Sequence, residues 1–326
     1  MTEPSTPTRR RFLRATGTAA LAAAFAGCSD ATESLRQPTT TERGTDRRAV
    51  VGEVVADDRL AMVVRGTRRT DSLGEFSDAG EGNEFVVARL AVRNESDGYV
   101  DFSGGWQTRV ADSEDYVYDA SYERTDHPLG SGTLAPGEVM RGDTVYEVPA
   151  DATGLVLQFD FAAFDLFRFD RVRVDLDSEA SPIADLEQSL RVAVYEPGDR
   201  TTYGGLSVAV RGVRRETALG QFAEATPGTE YVIPDVAVTN DTSEAVTVST
   251  LLQMALKTGT GLAYTQDLEG SAALDRGFAE GSPVGPGETR RGELAYLVDA
   301  DHERLYWAFD FYDATDPQKA FWALSP

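Results

Sequence analysis

The two histidines, His127 and His302, are the side chains of this sequence best suited to acid–base or metal chemistry. A neutral imidazole accepts a proton near neutral pH or binds a metal, but both roles need convergent partner groups. The two positions are not related to each other: His127 precedes Pro128 in a variable loop, and His302 lies between two acidic residues at a predicted turn. We therefore expect two exposed loop histidines with no catalytic or metal-binding role.

Acidic groups at 112–115 and 175–177 offer the oxygen ligands that Ca²⁺ prefers. Their spacing is not that of a calcium-binding loop, and 54 acidic residues among 326 make chance clusters inevitable. A weak calcium site stays an open alternative. The sequence also lacks a nucleophile elbow and a phosphate-binding loop. It predicts no catalytic residue, no cofactor, no cofactor-binding residue and no metal ligand. Among the functional hypotheses, a hydrolase using surface carboxylates is therefore the least favoured, because no paired acid and base can be named.

Two of the three asparagines open acceptor triplets for N-glycosylation, Asn94-Glu95-Ser96 and Asn240-Asp241-Thr242. An asparagine at the end of a strand also has a structural use, because its side chain caps a turn and it tolerates left-handed backbone angles. The turn role is favoured as the reason for the residue. Glycosylation of Asn94 and Asn240 on an exposed surface stays open.

The first 27 residues have the organisation of a signal peptide, with a basic start and an apolar run at 15–27 too short to span a bilayer permanently. The segment 8–14, TRRRFLR, resembles the twin-arginine export motif. The residues that carry this resemblance are Arg9, Arg10, Phe12 and Leu13.

Cys28 is the only cysteine, so the chain forms no internal disulfide and no cysteine zinc cluster. It ends the run Phe25-Ala26-Gly27-Cys28, which is similar to a lipobox, although Phe25 replaces the usual aliphatic residue. In a lipobox the thiol takes a lipid. The alternative is a cysteine that merely follows an ordinary cleavage site. The lipid interpretation predicts that Cys28 anchors the protein to the extracytoplasmic face of the membrane.

The charge is strongly acidic, with 54 Asp and Glu against 31 Lys and Arg, and Lys257 and Lys319 are the only lysines. Such a polyanion repels nucleic acid and anionic headgroups, so neither is an expected partner. Acidic surfaces without lysine resemble those of proteins from extreme halophiles, whose hydrated carboxylates keep the fold soluble at high salt. The membrane is therefore expected as a partner only through the lipid.

The sequence contains an internal repeat. Glu84–Asn94, EFVVARLAVRN, returns as Glu230–Asn240, EYVIPDVAVTN, displaced by 146 residues. Short β-branched runs between Gly, Pro, Asn and Asp predict an all-β fold. Pro234 lacks a ladder donor, which predicts an edge or a bulge in the second copy of this strand.

Other strands repeat in register. Trp106, Thr108 and Val110 correspond to Leu252, Met254 and Leu256, with apolar core residues exchanged between copies. The motif LAPGE at 134–138 matches VGPGE at 284–288, where Pro-Gly predicts a type II turn. The heaviest apolar rows are expected at the centre of each core. They are Leu155, Leu157, Phe159 and Phe161, and Leu305, Trp307, Phe309 and Phe311.

These motifs resemble a known domain. The valine-rich strand ending in Asn, the Leu-x-Pro-Gly-Glu turn, the glycine after it and the aromatic last strand are similar to the telokin-like, immunoglobulin-fold domain of unknown function of secreted lipoproteins. The same features resemble the immunoprotective extracellular antigen family. The resemblance covers most of residues 49–326 and is weaker in the second copy. It implies a β-sandwich and a surface location, and it brings no catalytic residues.

The predicted fold is two tandem immunoglobulin-like antiparallel β-sandwiches. The predicted boundaries are a lipoprotein signal peptide at 1–27, a flexible linker at 28–48, a first sandwich at 49–178, an inter-domain linker at 179–189 with a possible helical turn, and a second sandwich at 190–326. The predicted function is non-enzymatic binding or scaffolding at the cell surface, with an envelope protein or a small ligand as partner. The alternative is a solute-binding accessory subunit of a membrane transporter, with a cleft between the domains lined by the segment 116–127.

Overall fold

The computed structural model describes residues 47–75, 77–160, 171–220, 223–312 and 316–324. Within them each repeat folds into a β-sandwich, as predicted. The first strand begins earlier than expected, since Arg47 and Arg48 already pair with Val172 and Arg173. No helix in the described part of the chain has the length and apolar character that crossing a bilayer requires.

The first repeat is built from short and long strands and one helical turn. In chain order they are β1 (Arg47–Val51), β2 (Val55–Ala56), β3 (Leu60–Thr70), β4 (Asn83–Asn94), β5 (Val100–Ser103), α1 (Gly104–Gln107), β6 (Thr108–Ala111), β7 (Val117–Asp119), β8 (Ser131–Leu134), β9 (Val139–Pro149), β10 (Val156–Asp160) and β11 (Arg171–Glu179). One sheet has the order β2-β3-β4-β9, the other β1-β11-β10-β6-β7, and β5 pairs with β8.

The second repeat follows the same plan. Its elements are β12 (Val194–Tyr195), β13 (Arg200–Tyr203), β14 (Leu206–Glu216), β15 (Ala218–Leu219), β16 (Ala223–Glu224), β17 (Thr229–Asn240), α2 (Thr250–Gln253), β18 (Met254–Thr258), β19 (Ala263–Tyr264), α3 (Leu268–Ala272), β20 (Thr289–Glu293), β21 (Tyr296–Asp299), β22 (Leu305–Asp310) and β23 (Lys319–Leu324). One sheet has the order β13-β14-β17-β20, with β21 also pairing with β17. The other has the order β12-β23-β22-β18-β19, and β15 pairs with β16.

The sandwiches are not wholly antiparallel. β1 runs parallel to β11, and β12 runs parallel to β23. In both repeats the first strand thus lies beside the last one and covers its edge, which would otherwise expose unpaired backbone groups. The remaining ladders are antiparallel, as predicted.

The predicted apolar rows form the two cores. Leu157 and Phe159 of β10 are fully buried, as are Trp307 and Phe309 of β22. Burying one such side chain contributes about 1.5–3 kcal/mol, so these strands supply much of the stability of each sandwich. Phe161 lies outside the described residues.

Pro234 lies inside β17, with β14 paired along one side. Along the other side the partner strand is broken into β20 and β21, whereas the first repeat has the unbroken β9. The break falls where Leu294 N donates to Pro234 O at 3.2 Å. Proline has no N–H with which to return that bond, so the ladder is interrupted there. The prediction of an edge or a bulge at Pro234 is therefore wrong, because β17 is paired on both sides and the irregularity lies in its partner strand.

The prediction that Trp106 and Leu252 are core residues is wrong. Trp106 is 78% exposed and Leu252 is 62% exposed, while Met254 and Leu256 are buried. Trp106 and Leu252 belong to the helical turns α1 and α2, which precede β6 and β18. A helical turn breaks the two-residue alternation of a strand, so the inward row begins only where the strand begins.

The Pro-Gly motifs form type II turns in both repeats. Gly137 and Gly287 have φ of 77° and 72°, the positive values that this turn requires at its third position. The turns are closed by Glu138 N donating to Ala135 O at 2.9 Å and by Glu288 N donating to Gly285 O at 3.0 Å.

The segment between β11 and β12 packs on both repeats and contains no helical turn, unlike the sequence expectation. Leu186 is buried against Ala61, Val63 and Val139, on the outer face of the β2-β3-β4-β9 sheet. That packing explains why Ala61 and Val63 are as buried as the predicted inward row of β3. Gln188 N donates to Gly259 O at 2.8 Å in the second repeat.

Candidate functional site

Asn94 and Asn240 hold matching turns inside the fold. Each side chain is 0% exposed. Asn94 Nδ2 donates to Gly98 O at 2.7 Å and to Leu134 O at 2.9 Å, and its Oδ1 accepts from Ser96 N and Oγ. Asn240 makes the corresponding four bonds with Glu244, Val284 and Thr242. The expected surface position of these asparagines is therefore wrong, and the bonds match the favoured turn role. Sugar attachment stays a prediction that would require access to the chain before it folds.

The acidic groups considered for calcium are engaged in their own turns. Asp112 accepts hydrogen bonds from Glu114 N, Tyr116 N and Tyr118 Oη. Asp175 accepts from Asp177 N and from Ser178 Oγ. These bonds satisfy carboxylate oxygens that a cation would need. Among the described residues there is no cluster of three or more His, Cys, Asp and Glu side chains suited to a metal.

The histidines are closer to each other than the sequence indicates. Both rings contact Tyr264, with centroid distances of 5.7 Å from His127 and 6.0 Å from His302. Tyr264 Oη and His302 Nε2 are 2.9 Å apart, and Tyr264 Oη donates to Asp299 at 3.3 Å. Burial raises the pKa of Tyr264, and the nearby Asp299 adds to that shift. His127 is exposed, as predicted, whereas His302 is partly buried.

A buried ionic cluster joins the two repeats. Glu138, in the Pro-Gly-Glu turn of the first repeat, is 1% exposed. Its Oε1 accepts from Lys257 Nζ at 2.5 Å, and its two oxygens lie 3.4 and 3.3 Å from Lys319 Nζ. Lys257 and Lys319 belong to β18 and β23 of the second repeat. The only two lysines of the chain therefore contact one carboxylate.

The ionisation of Glu138 is set by this cluster. Burial acts to raise the pKa of its carboxyl, but the ammonium groups of Lys257 and Lys319 lower the pKa below its usual value. Glu138 Oε2 also accepts from Ala135 N at 2.8 Å. The carboxylate is thus charged at neutral pH and held by hydrogen bonds from both repeats, which is the condition for a buried ion pair to be tolerated.

Backbone contacts extend the junction beyond the ionic cluster. Arg141 Nε donates to Thr260 O at 2.8 Å, and Arg141 N donates to Gly261 O at 3.1 Å. A Cβ on Gly261 would lie 2.5 Å from a methyl carbon of Val139, so only glycine allows this approach. The two sandwiches are therefore in close contact through backbone as well as side chains.

Beside this junction lies a cleft of about 590 Å³ between the repeats. The first repeat lines it with Asp101, Glu138 and Met140 among others. The second repeat contributes apolar and charged side chains, including Leu251, Leu252, Lys257, Asp310, Tyr312 and Lys319. The volume falls in the range of small-molecule sites. This cleft is the candidate site.

A second groove, of about 680 Å³, lies on the first repeat alone. Trp106 and the fully exposed Tyr122 line it, together with residues 119–124. The predicted lining segment 116–127 thus borders this groove. Its expected place in the cleft between the domains is wrong, because none of its residues lines that cleft.

Sequence reasoning missed Glu138, Lys257 and Lys319 as a group. Every other basic side chain among the 31 Lys and Arg is Arg. The presence of lysine at only two positions was therefore the sequence signal that could have indicated a special role for Lys257 and Lys319. The export and lipid residues Arg9, Arg10, Phe12, Leu13 and Cys28 lie outside the described residues.

Comparison with known families agrees with the repeat. A domain of unknown function, DUF4352, matches residues 49–166 and again residues 195–315. The chain belongs to this family. Its two copies fall on the two sandwiches described above, and the family assigns no activity. No curated protein matches the chain.

Several solved bacterial proteins resemble part of this DUF4352 chain. The secreted protein MPT63 from Mycobacterium tuberculosis is 15% identical, with a TM-score of 0.30. The match covers 42% of this chain and 100% of the MPT63 chain. The putative lipoprotein ycdA from Bacillus subtilis is 8% identical over 57% of this chain and 72% of its own, with a TM-score of 0.32. The yjhA protein from Bacillus subtilis is 14% identical, with a TM-score of 0.33. The match covers 40% of this chain and 100% of the yjhA chain. These values carry no information about function or site residues.

Proposed function

We propose that this protein is a non-enzymatic lipoprotein at the extracytoplasmic face of the membrane, where its two telokin-like, immunoglobulin-fold domains act together as one binding or scaffolding unit. The observation that carries the proposal is the buried contact of Glu138 with Lys257 and Lys319. A chain whose domains worked independently would not need a charge cluster buried between them, because burying such charges is costly unless they are paired.

The tether supports the same proposal from the sequence. Arg9, Arg10, Phe12 and Leu13 direct export in the folded state, and Cys28 carries the lipid. Residues 29–46 are polar and separate the lipid from the first strand. An acidic protein of net charge −23 has no attraction of its own for anionic headgroups, so the lipid supplies the membrane contact.

Cell fractionation of Cys28→Ala and Arg9→Lys/Arg10→Lys variants tests the proposed location at the membrane. We expect the first variant in the medium and the second inside the cell, while the wild type stays with the membrane. Intact mass of the wild type should equal lipid plus residues 28–326, and any further mass would indicate glycosylation. Wild-type protein released into the medium without lipid would contradict the proposal.

Pull-down from solubilised envelopes tests the binding role. A scaffold captures one or more envelope proteins, and capture should depend on the junction, so that Glu138→Gln weakens it and Glu288→Gln does not. Capture that is unchanged when each repeat is expressed separately would contradict a composite binding unit.

A second candidate is a solute-binding accessory subunit of a membrane transporter. The cleft of about 590 Å³ between the repeats favours it, since ligand sites occur preferentially between domains. Co-isolation with a transporter after cross-linking in the membrane tests this role.

A further inference from the structure

The charged groups of the cleft are unevenly matched. Three carboxylates face two ammonium groups there: Asp101, Glu138 and Asp310 against Lys257 and Lys319. Glu138 takes hydrogen bonds from both lysines. Asp310 Oδ2 forms an ion pair with Lys319 Nζ at 3.8 Å, longer than a hydrogen bond, and Asp101 accepts from Thr133 Oγ1 at 2.7 Å. The cleft therefore carries a net negative charge with both of its cations already engaged.

Asp310 has a weaker charge partner than Glu138, because its only cation contact among the described residues is the 3.8 Å ion pair with Lys319 Nζ. Its side chain is 26% exposed, and burial raises the pKa of its carboxyl although the nearby Lys319 acts to lower it. Tyr312 N donates to Asp310 Oδ1 at 2.8 Å. A positive charge placed beside Asp310 would offset the cost of burying this carboxylate, whereas an anion would be repelled.

Apolar side chains surround the same space. Leu251 is 69% exposed, Leu252 is 62% exposed and Tyr312 is 67% exposed, although large apolar side chains are usually buried. Met140 adds a flexible thioether on the side of the first repeat. The Tyr312 backbone has φ of 58°, an uncommon value for a residue with a Cβ, and its ring stands exposed at the cleft. An aromatic face attracts an organic cation.

We propose that the cleft binds a small organic ammonium compound, with its cationic head beside Asp310 and its apolar body against Leu251, Leu252 and Tyr312. Among the described residues no group of three or more His, Cys, Asp and Glu side chains could hold a metal ion, so an organic cation suits this cleft better. The inference rests on the solute-binding alternative given above and names the class of its ligand.

Three straight-chain probes of six carbons each separate the contributions of charge and apolar body: hexylammonium, hexanoate and 1-hexanol. Isothermal titration of each into the purified chain at low and multimolar salt should show hexylammonium binding most tightly, with weaker binding as salt rises. Equal or tighter binding of hexanoate or 1-hexanol would overturn the proposal, as would absence of binding by all three probes.

Two variants with matched controls locate the site. Asp310→Asn keeps an acceptor for Tyr312 N but removes the charge, and we expect it to weaken hexylammonium binding about tenfold or more. Asp160→Asn changes the equivalent position of the first repeat, outside the cleft, and should leave binding unchanged. Leu252→Ala should weaken all three probes, whereas Trp106→Ala, its equivalent in α1, should weaken none.

Circular dichroism and thermal melting verify that each variant is folded. Leu252 is exposed, so Leu252→Ala keeps the test decisive even if Asp310→Asn does not fold. Unchanged affinity in Asp310→Asn or in Leu252→Ala would refute the assignment. Because titration uses the isolated protein, its result is independent of whether a transporter is co-isolated.

Discussion

The same five-residue turn occurs in both repeats and has two different environments. In the first repeat Glu138 is 1% exposed and contacts both lysines, and in the second repeat Glu288 is exposed at an equally well-formed turn. The backbone is alike, since both carboxylates accept the N–H three residues earlier, at 2.8 Å in each case. Local sequence therefore determines the turn, and the neighbouring domain determines what its carboxylate does.

The largest expected difference between the two turns is in how much their glutamates contribute to the stability of the fold. Glu138→Gln leaves the buried Lys257 ammonium without its charge partner and removes the nearer of the two carboxylates beside Lys319, which should lower the free energy of unfolding by about 3–5 kcal/mol. Glu288→Gln should change it by less than about 0.5 kcal/mol, because the position is exposed. Chemical denaturation followed by circular dichroism measures both. Similar losses in the two variants would contradict the difference in environment.

A second pair probes the glycines of the same turns. A Cβ on Gly137 would lie 1.8 Å from Ser189 O, whereas one on Gly287 would meet nothing within 4 Å. Both alanine variants incur the cost of positive φ, about 1–2 kcal/mol. Gly137→Ala should lose a further ~1–3 kcal/mol by displacing the inter-domain segment. The melting temperature of Gly137→Ala should be well below that of Gly287→Ala. Equal melting temperatures would contradict the close approach of Ser189 O to Gly137.

Substitution of the two buried asparagines should destabilise the two repeats equally, because the turns that the two side chains hold are alike. Asn94→Ala and Asn240→Ala each remove four equivalent hydrogen bonds and should each lose about 1–3 kcal/mol or more. Asn83→Ala is the control, since Asn83 donates one bond to Glu147 and is only partly buried. A large difference between Asn94 and Asn240, measured by denaturation, would show that the repeats do not share this turn's energetics.

The smallest effect is a difference in acid sensitivity. The pKa of Glu138 is lower in the folded chain than its usual value of 4.5. A carboxyl of this kind stabilises the fold above the unfolded pKa and loses that stabilisation as pH falls through the folded pKa. Below about pH 4.5 the wild type and Glu288→Gln should therefore lose stability more steeply than Glu138→Gln. Melting temperatures measured between pH 3 and 7 test this, and parallel curves would count against it.

Much of the fold follows from the sequence, because strand and turn patterns are local. The apolar rows of β10 and β22 and the Pro-Gly turns lie where the alternation and turn chemistry place them. Trp106 and Leu252 depart from the alternation because they lie in the helical turns α1 and α2, where the two-residue period of a strand does not hold. The buried position of Asn94 could not be read locally, since the same triplet suits a glycan acceptor and a capped turn.

The candidate site was beyond local reasoning. Glu138 and Lys257 are 119 positions apart and belong to different sandwiches, so no periodicity relates them. Their contact depends on how the outer face of β18, β22 and β23 packs against the first repeat. Such packing is fixed by shape and charge across the junction, and a sequence pattern carries neither. The rarity of lysine was visible, but its meaning required the fold.

The junction also gives the tandem a direction. Lys257 occupies the strand position that Ala111 holds in the first repeat, and Lys319 that of Arg171, as the paired strands show. The contact joins unlike surfaces, so the repeats are not interchangeable modules. By the same correspondence, a chain with the two sandwiches in the reverse order would set Glu288 against the positions of Ala111 and Arg171, so the Lys257 contact would have no equivalent. Reordering these repeats would therefore remove the contact of Glu138 with Lys257 that joins them.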